Sequence, residues 1–313
     1  MSDSGAPSRA IISVSVSPRT ESDRENFQSV LSRLAEEDPT LKILLPSADG
    51  RATIRGMSES DLEAVCDRIS RELQIELDIG KPKVIYLETI RRISEAEGKY
   101  IRQTGGHGNY GHVRLRLEPG ESGSGFQFVN EIREGQIPQE FVGAISNGIL
   151  DAAIRGTLAG FEMVDLRAVL YDGSYHEKDS NEMAFKFAGS IAFKEAARKT
   201  SPIVLEPVMS VEVEVAEENL SDAVGDLRGR RGRIEDVKHR GTRVIYYAIV
   251  PLAELLRSSA LGRPKYSMHF ASYEPAPPKD LNDSDGAGVP ANKPEGPRTG
   301  RGFASAEPEV EPE

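Results

Sequence analysis

One succession of hydrophobic periods is written twice in this chain, once near each end, and that repetition limits its folding more than any other feature. From Ala10 the segment AIISVSV alternates as a strand, and residues 21–36 carry Phe27, Leu31 and Leu34 on one helical stripe. LKILLPS and RATIRG then read as two strands, residues 58–73 as a second helix and IELDIG as a closing strand. The order is βαββαβ. From Val208 it recurs: SVEVEV alternates with period two, residues 217–227 read as helix, and GRIEDVKHRGTRVIYYAIV reads as a hairpin. PLAELLRSSAL predicts a helix with Pro251 at its tolerated first position, and KYSMHFASYE closes the unit as a strand. Both units fit split-βαβ, ferredoxin-like domains.

Between them the pattern changes. HVRLRLEP alternates apolar and basic residues as a half-buried strand, and QFVNEI reads as its neighbour. Residues 138–155 place Phe141, Ile145, Ile149 and Ala153 at helical spacing, after which VDLRAVL returns as a strand. Asp179 with Glu182 three positions later predicts a capping box, opening a helix over 180–199 that ends in the cations its dipole favours. The expected organisation is α+β: a leader at 1–9, ferredoxin-like domains at 10–87 and 204–275, a separate βα domain at 88–203 between them, and a tail at 276–313.

Composition narrows the setting. The length, 313 residues, suits two or three domains at roughly 100–200 residues each. The one cysteine, Cys66, sits in the apolar-periodic LEAVCDRI and reads as a small buried hydrophobe, as a reducing cytoplasm allows. The N-terminus lacks a charged region followed by an apolar one, and no apolar run approaches the ~18 residues that would span a bilayer. A soluble, cytoplasmic protein without a membrane partner is expected, with Met1 as a natural start.

The net charge of −11 argues at first against a nucleic-acid partner, because phosphate contacts favour Lys and Arg. Its distribution changes that. Residues 276–313 hold eight acids against four bases in a Pro- and Gly-rich tail, which is expected to be disordered and leaves the body only mildly acidic. The body contains a dense basic stretch, Arg228, Arg230, Arg231, Arg233, Lys238, Arg240 and Arg243, which fits either a solvated helix end and hairpin or an RNA-facing patch.

Nucleotide chemistry finds no support. A P-loop needs the form GxxxxGK[ST] to cradle phosphates, and no window of the chain has it. DxxG matches such as those at 222–225 and 283–286 have no phosphate to sense without one. The stretch Gly106-His107-Gly108-Asn109-Tyr110-Gly111 fits GxGxxG, but it leads into an alternating strand and not into the helix that would hold a pyrophosphate. It is either a glycine loop with φ > 0 or a loop whose His107, Asn109 and Tyr110 touch a partner.

Residues 172–177, DGSYHE, lie between a strand and a capped helix, where a connecting loop projects Tyr175 and His176. A metal site of His107, His112 and His176 lacks ligand spacing, and a Ser174/His176/Asp172 relay fails because residues so close on one loop cannot orient one another. Tyr and His placed to stack or hydrogen-bond on RNA are the better reading. With no oriented acid/base set, the expectation is a non-enzyme without cofactor or metal.

Two long stretches, RQTGGHGNYGHVRLRLEP (102–119) and YDGSYHEKDSNEMAFKFAGSIAFKEAARK (171–199), resemble the signature stretches of the translocation domain of bacterial elongation factor G. LAEEDPT, GKPKVIYLETIR, AEGKYIRQ, IVLEPVMSVEV, GDLRGRRGRI, VPLAEL and KYSMHF extend the likeness in order from about residue 11 to 275. The resemblance implies domains III, IV and V of that family, ferredoxin-like, S5-like and ferredoxin-like, without its GTPase domain or domain II. It implies that the tip of the middle domain enters the decoding centre on loops at 105–111 and 172–177. There His176, with His107, Asn109, Tyr110, Ser174 and Tyr175 beside it, would meet the tRNA–mRNA duplex. Arg228, Arg230, Arg231 and Arg233 would meet ribosomal RNA.

The family usually shows Gln at Asn109 and Arg at His107, so this tip keeps its shape with weaker phosphate attraction. Two further departures are GMSESDLE (56–63) in place of GMGELHLE, and a shortened segment after VPLAEL. The partners implied are 16S and 23S ribosomal RNA and the tRNA–mRNA duplex, bound by a monomer. Three readings follow: a ribosome-binding protein acting alone, a portion working with a separate translational GTPase, or an interaction module using its acidic tail.

Overall fold

The computed structural model describes residues 9–37, 42–44, 50–104, 107–133, 135–257 and 265–277. The expectations for the leader at 1–8 and for the tail from 278 onward lie outside the described residues. Arg9, read as part of the leader, forms an ion pair with Glu162.

The first βαββαβ unit comprises β1 (Ile12–Pro18), α1 (Arg24–Glu37), β2 (Lys42–Leu44), β3 (Ala52–Gly56), α2 (Glu59–Leu73) and β4 (Leu77–Ile79), with β5 (Lys83–Val84) pairing β1. Its strands lie in the order β2-β3-β1-β4. Alternation on β1 and β3 turns Ile12, Val14, Val16, Ala52 and Ile54 to one face, where Phe27, Leu31 and Leu34 of α1 and Leu62, Cys66 and Ile69 of α2 cover them. Each such fully buried large side chain contributes roughly 1.5–3 kcal/mol. The Ser58 hydroxyl caps α2 by accepting from the Asp61 N–H at 3.1 Å.

The last unit repeats the plan with β11 (Ile203–Ala216), α5 (Leu220–Gly229), β12 (Arg233–Arg240), β13 (Arg243–Pro251), α6 (Leu252–Arg257) and β14 (Lys265–Pro275), ordered β12-β13-β11-β14. Pro251 ends β13, one residue before the helix it was expected to open. Between β5 and the middle sheet runs β6 (Leu87–Thr89), which pairs with the start of β11.

The middle sheet, ordered β7-β8-β10-β9, is built from β7 (Ser94–Thr104), β8 (His107–Pro119), β9 (Phe126–Asn130) and β10 (Leu166–Ser174), covered on one face by α3 (Gln139–Ile154) and α4 (Glu182–Lys199). Two expectations are corrected here. QFVNEI, which becomes β9, is not the neighbour of β8, because the crossover through α3 lays β10 parallel to β9 and between the two. Asp179 does not cap α4. The helix starts two residues later, with Asn181 Oδ1 accepting from the Ala184 N–H at 2.9 Å, while Asp179 turns away toward β8.

Candidate nucleic-acid interface

The β7–β8 hairpin is the longest projection of the middle sheet, pairing from Ser94↔Leu117 out to Thr104↔His107. It can lie close to α4 and to the loop before it because glycines stand at the contacts: a Cβ on Gly98 would stand 2.0 Å from the Ala188 carbonyl oxygen of α4. A Cβ on Gly111 would stand 2.5 Å from the Ala184 carbonyl, and one on Gly108 would stand 2.6 Å from the Asp179 carboxyl carbon. Neither has positive φ, so close approach and not turn geometry explains these glycines, correcting the loop reading. Gly105 and Gly106 lie outside the described residues, as does the side chain of His107, whose backbone opens β8.

Asp172, Gly173 and Ser174, expected in a loop, are the last residues of β10, beyond a bulge between Leu170 and Asp172. The loop proper begins at Tyr175. It is fastened to β8 at several points: the Tyr110 N–H donates to the Asp179 carbonyl at 2.7 Å, and the Gly108 N–H donates to Asp179 Oδ1 at 3.1 Å. The Ser180 hydroxyl donates to the Tyr110 carbonyl at 2.9 Å, and Asn181 Nδ2 donates to Asn109 Oδ1 at 2.8 Å. Asp179, Ser180 and Asn181 therefore hold the two tip segments together, a role that sequence reasoning missed. The only signal was a cluster of short polar residues just before a helix.

His176 sits on this fastening. Its Nδ1 accepts from the backbone N–H of Asp179 at 3.3 Å and lies 3.2 Å from Asp179 Oδ2, while the backbone N–H of His176 donates to Ser180 Oγ at 2.9 Å. With Nδ1 engaged inward, the side chain remains 55% exposed and Nε2 has no partner among the described residues. The ring centroid lies 6.3 Å from that of Tyr110, and Tyr175 beside it is 40% exposed. Ser174 is less available, since its Oγ lies 2.8 Å from the Tyr110 hydroxyl and 2.9 Å from His112 Nδ1. One end of the sheet thus gathers Asn109, Tyr110, Ser174, Tyr175 and His176, with His176 and Tyr175 outermost. Behind it Lys99, and after it His112, holds the Glu97 carboxyl below its ordinary range. The described residues form no group of side chains that could hold a metal.

The four arginines of the third sheet are not equivalent. Arg228 is exposed at the end of α5 and has no ion pair among the described residues. Arg233 is exposed and pairs with Glu274 at 3.2 Å. Arg230 is buried, its Nε donating to Asp226 Oδ2 at 2.9 Å. Arg231, in the left-handed region at φ 59°, makes a two-pronged pair with the buried Glu206 at 2.8 and 2.9 Å and a third bond to Glu254. Arg230 and Arg231 serve the fold, and Arg228 and Arg233 present charge outward.

Comparison with known proteins divides the chain in the same order as its sheets. Residues 8–81 match the family model for elongation factor G domain III, residues 82–201 that for domain IV, and residues 203–284 that for the elongation factor G C-terminus. A crystal structure of a protein from Thermus thermophilus is similar over 88% of this chain at 37% identity, with a TM-score of 0.65. The match takes in 42% of the Thermus chain, so this chain spans less than half the length of that relative.

Proposed function

The chain belongs to the elongation factor G family through its domains III, IV and C-terminus, and from that premise we propose that it binds the ribosome by the tip of its domain IV, in cytoplasmic translation. The observation that supports this most is the anchoring of His176: the loop between β10 and α4 holds Nδ1, and the half-exposed imidazole stands outward beside the β7–β8 hairpin. Such a side chain can hydrogen-bond or stack on a nucleic-acid duplex without first being ordered, so little entropy opposes the contact. Asn109 and Tyr175 flank it, and Arg228 and Arg233 supply a second, phosphate-directed contact to ribosomal RNA. The 16S and 23S rRNAs and the tRNA–mRNA duplex are the partners this reading names. The 313 residues contain no P-loop, so any GTP hydrolysis in the assembly comes from elsewhere.

Co-sedimentation of the purified chain with 70S ribosomes across a salt series tests the proposal. Pelleting should fall as salt rises, in proportion to the phosphates met. His176→Ala should weaken it at every salt concentration, and Arg228→Ala should reduce the salt slope. Absence of pelleting at low salt would overturn the reading.

A second reading has one observation in its favour. The chain covers 42% of a relative that shares its fold over most of the described length, so it could act only beside a GTPase supplied separately. Pelleting that depends on an added translational GTPase and its nucleotide would select that reading.

A further inference from the structure

Glu88 is fully buried, and no part of the tip uses it. Its carboxylate fills a ring of backbone donors made by a single loop. Oε2 accepts from the N–H groups of Thr157 and Leu158 at 2.8 and 2.9 Å, and Oε1 accepts from those of Ala159, Gly160 and Phe161 at 2.7, 2.8 and 3.0 Å. Five main-chain donors on one side chain compensate the removal of a carboxylate from water, which unpaired would cost several kcal/mol. The loop is shaped for it. Gly156 has φ 65°, and a Cβ there would stand 2.7 Å from Glu88 Oε1 and 2.2 Å from the Phe161 carbonyl.

The place of this cluster in the chain gives it meaning. Glu88 is the central residue of β6, whose one edge pairs with β11 of the third sheet through Val204↔Glu88. Its other edge meets the segment that enters β10 of the middle sheet: the Glu88 N–H donates to the Glu162 carbonyl at 2.9 Å, and the Val164 N–H donates to the Glu88 carbonyl at 2.8 Å. The same segment bonds to α3, where the Met163 N–H donates to the Ala153 carbonyl at 2.8 Å, and to the first unit through Arg9 and Glu162. Backbone pairing along β6 alone would leave a short ribbon free to twist. The side chain of Glu88 adds a second line of attachment, perpendicular to the strand, from β6 into the 157–161 loop.

We propose that Glu88 is the positioning residue that fixes the angle between the middle sheet, which carries His176 at its far end, and the third sheet. The consequence for function rests on the tip-binding reading above; the positioning itself does not. A small rotation at the base moves the outward imidazole relative to Arg228, and Glu88 holds the two contact regions at one separation.

Pulsed dipolar spectroscopy on the full chain, without ribosomes, tests this directly. Spin labels are placed at Lys178→Cys, beside the tip, and at Glu218→Cys, at the start of the helical segment of the third unit; Cys66 is buried and does not compete for label. The parent protein should give one narrow distance. Glu88→Gln keeps the shape but offers the five donors a single oxygen and sets an amide NH2 against the rest, and it should lose that narrow distance in favour of a broad distribution. Gly156→Ala, which attacks the ring from the loop side, should do the same. Should Glu88→Gln fail to fold by circular dichroism, Glu88→Asp, one methylene shorter, replaces it. An unchanged distance distribution in a folded Glu88 variant overturns the proposal, even if its melting temperature falls. Because no ribosome is present, failure here leaves the tip-binding reading standing, and failure of co-sedimentation leaves this result untouched.

Discussion

A methyl group at Gly111 would collide with the backbone of α4, and a carbonyl in a helix cannot step aside as a side chain can. Gly111→Ala should destabilise the chain by about 1–3 kcal/mol, read as a lower urea midpoint with unchanged slope. Cys66 gives a prediction of a different kind. Burial first, then Asp67 and Glu63, raises its thiol from 9.0 to about 11. The native thiol should therefore resist iodoacetamide at pH 8 and react once the chain unfolds. The contribution of the thiol to stability is complete below pH 9.0, where it is protonated in both states. It is lost as pH rises toward about 11, because the unfolded thiol ionises first. A denaturation midpoint for wild type that declines over this window more than that of Cys66→Ala is the check.

At the scale of elements, α4 and the tip loop separate two roles that one sequence pattern had merged. Asn181→Ala removes the helix cap and should cost about 1 kcal/mol in urea denaturation. Asp179→Ala leaves the cap in place but frees the Gly108 N–H, so it should speed hydrogen exchange at Gly108 while leaving the amides of α4 protected. Equal effects of both substitutions on the helix would contradict the assignment. The pattern Asp179-x-x-Glu182 was legible, but the direction in which Asp179 turns depends on Gly108, 71 residues earlier in the chain, and no local rule contains that contact. The same limit applies to QFVNEI: its alternation marks a strand, and only the crossover through α3 decides that β10 lies between it and β8. The two βαββαβ patterns were readable because each is written within one contiguous segment whose stripes are covered by its own helices. Glu88 stayed invisible because its partners are main-chain groups, which carry no residue identity.

Across the whole molecule, the first and third units lean on each other and the middle sheet projects from them. Ile11 packs into the core of the third unit, Leu256 touches the cores of both outer units, and the Tyr273 hydroxyl donates to the Ile85 carbonyl at 3.0 Å. The outer tip carries His176 and Tyr175 while the third unit carries Arg228, and the proposed ribosome binding would set these two regions against different RNA. Hydroxyl-radical cleavage from iron chelates tethered at Lys178→Cys and, separately, at Arg228→Cys on 70S ribosomes tests this most directly. The account predicts that the tip probe cuts 16S rRNA around the decoding centre and that the probe at position 228 cuts 23S rRNA. Cleavage of 23S rRNA by the tip probe, or no cleavage confined to either site, would contradict it.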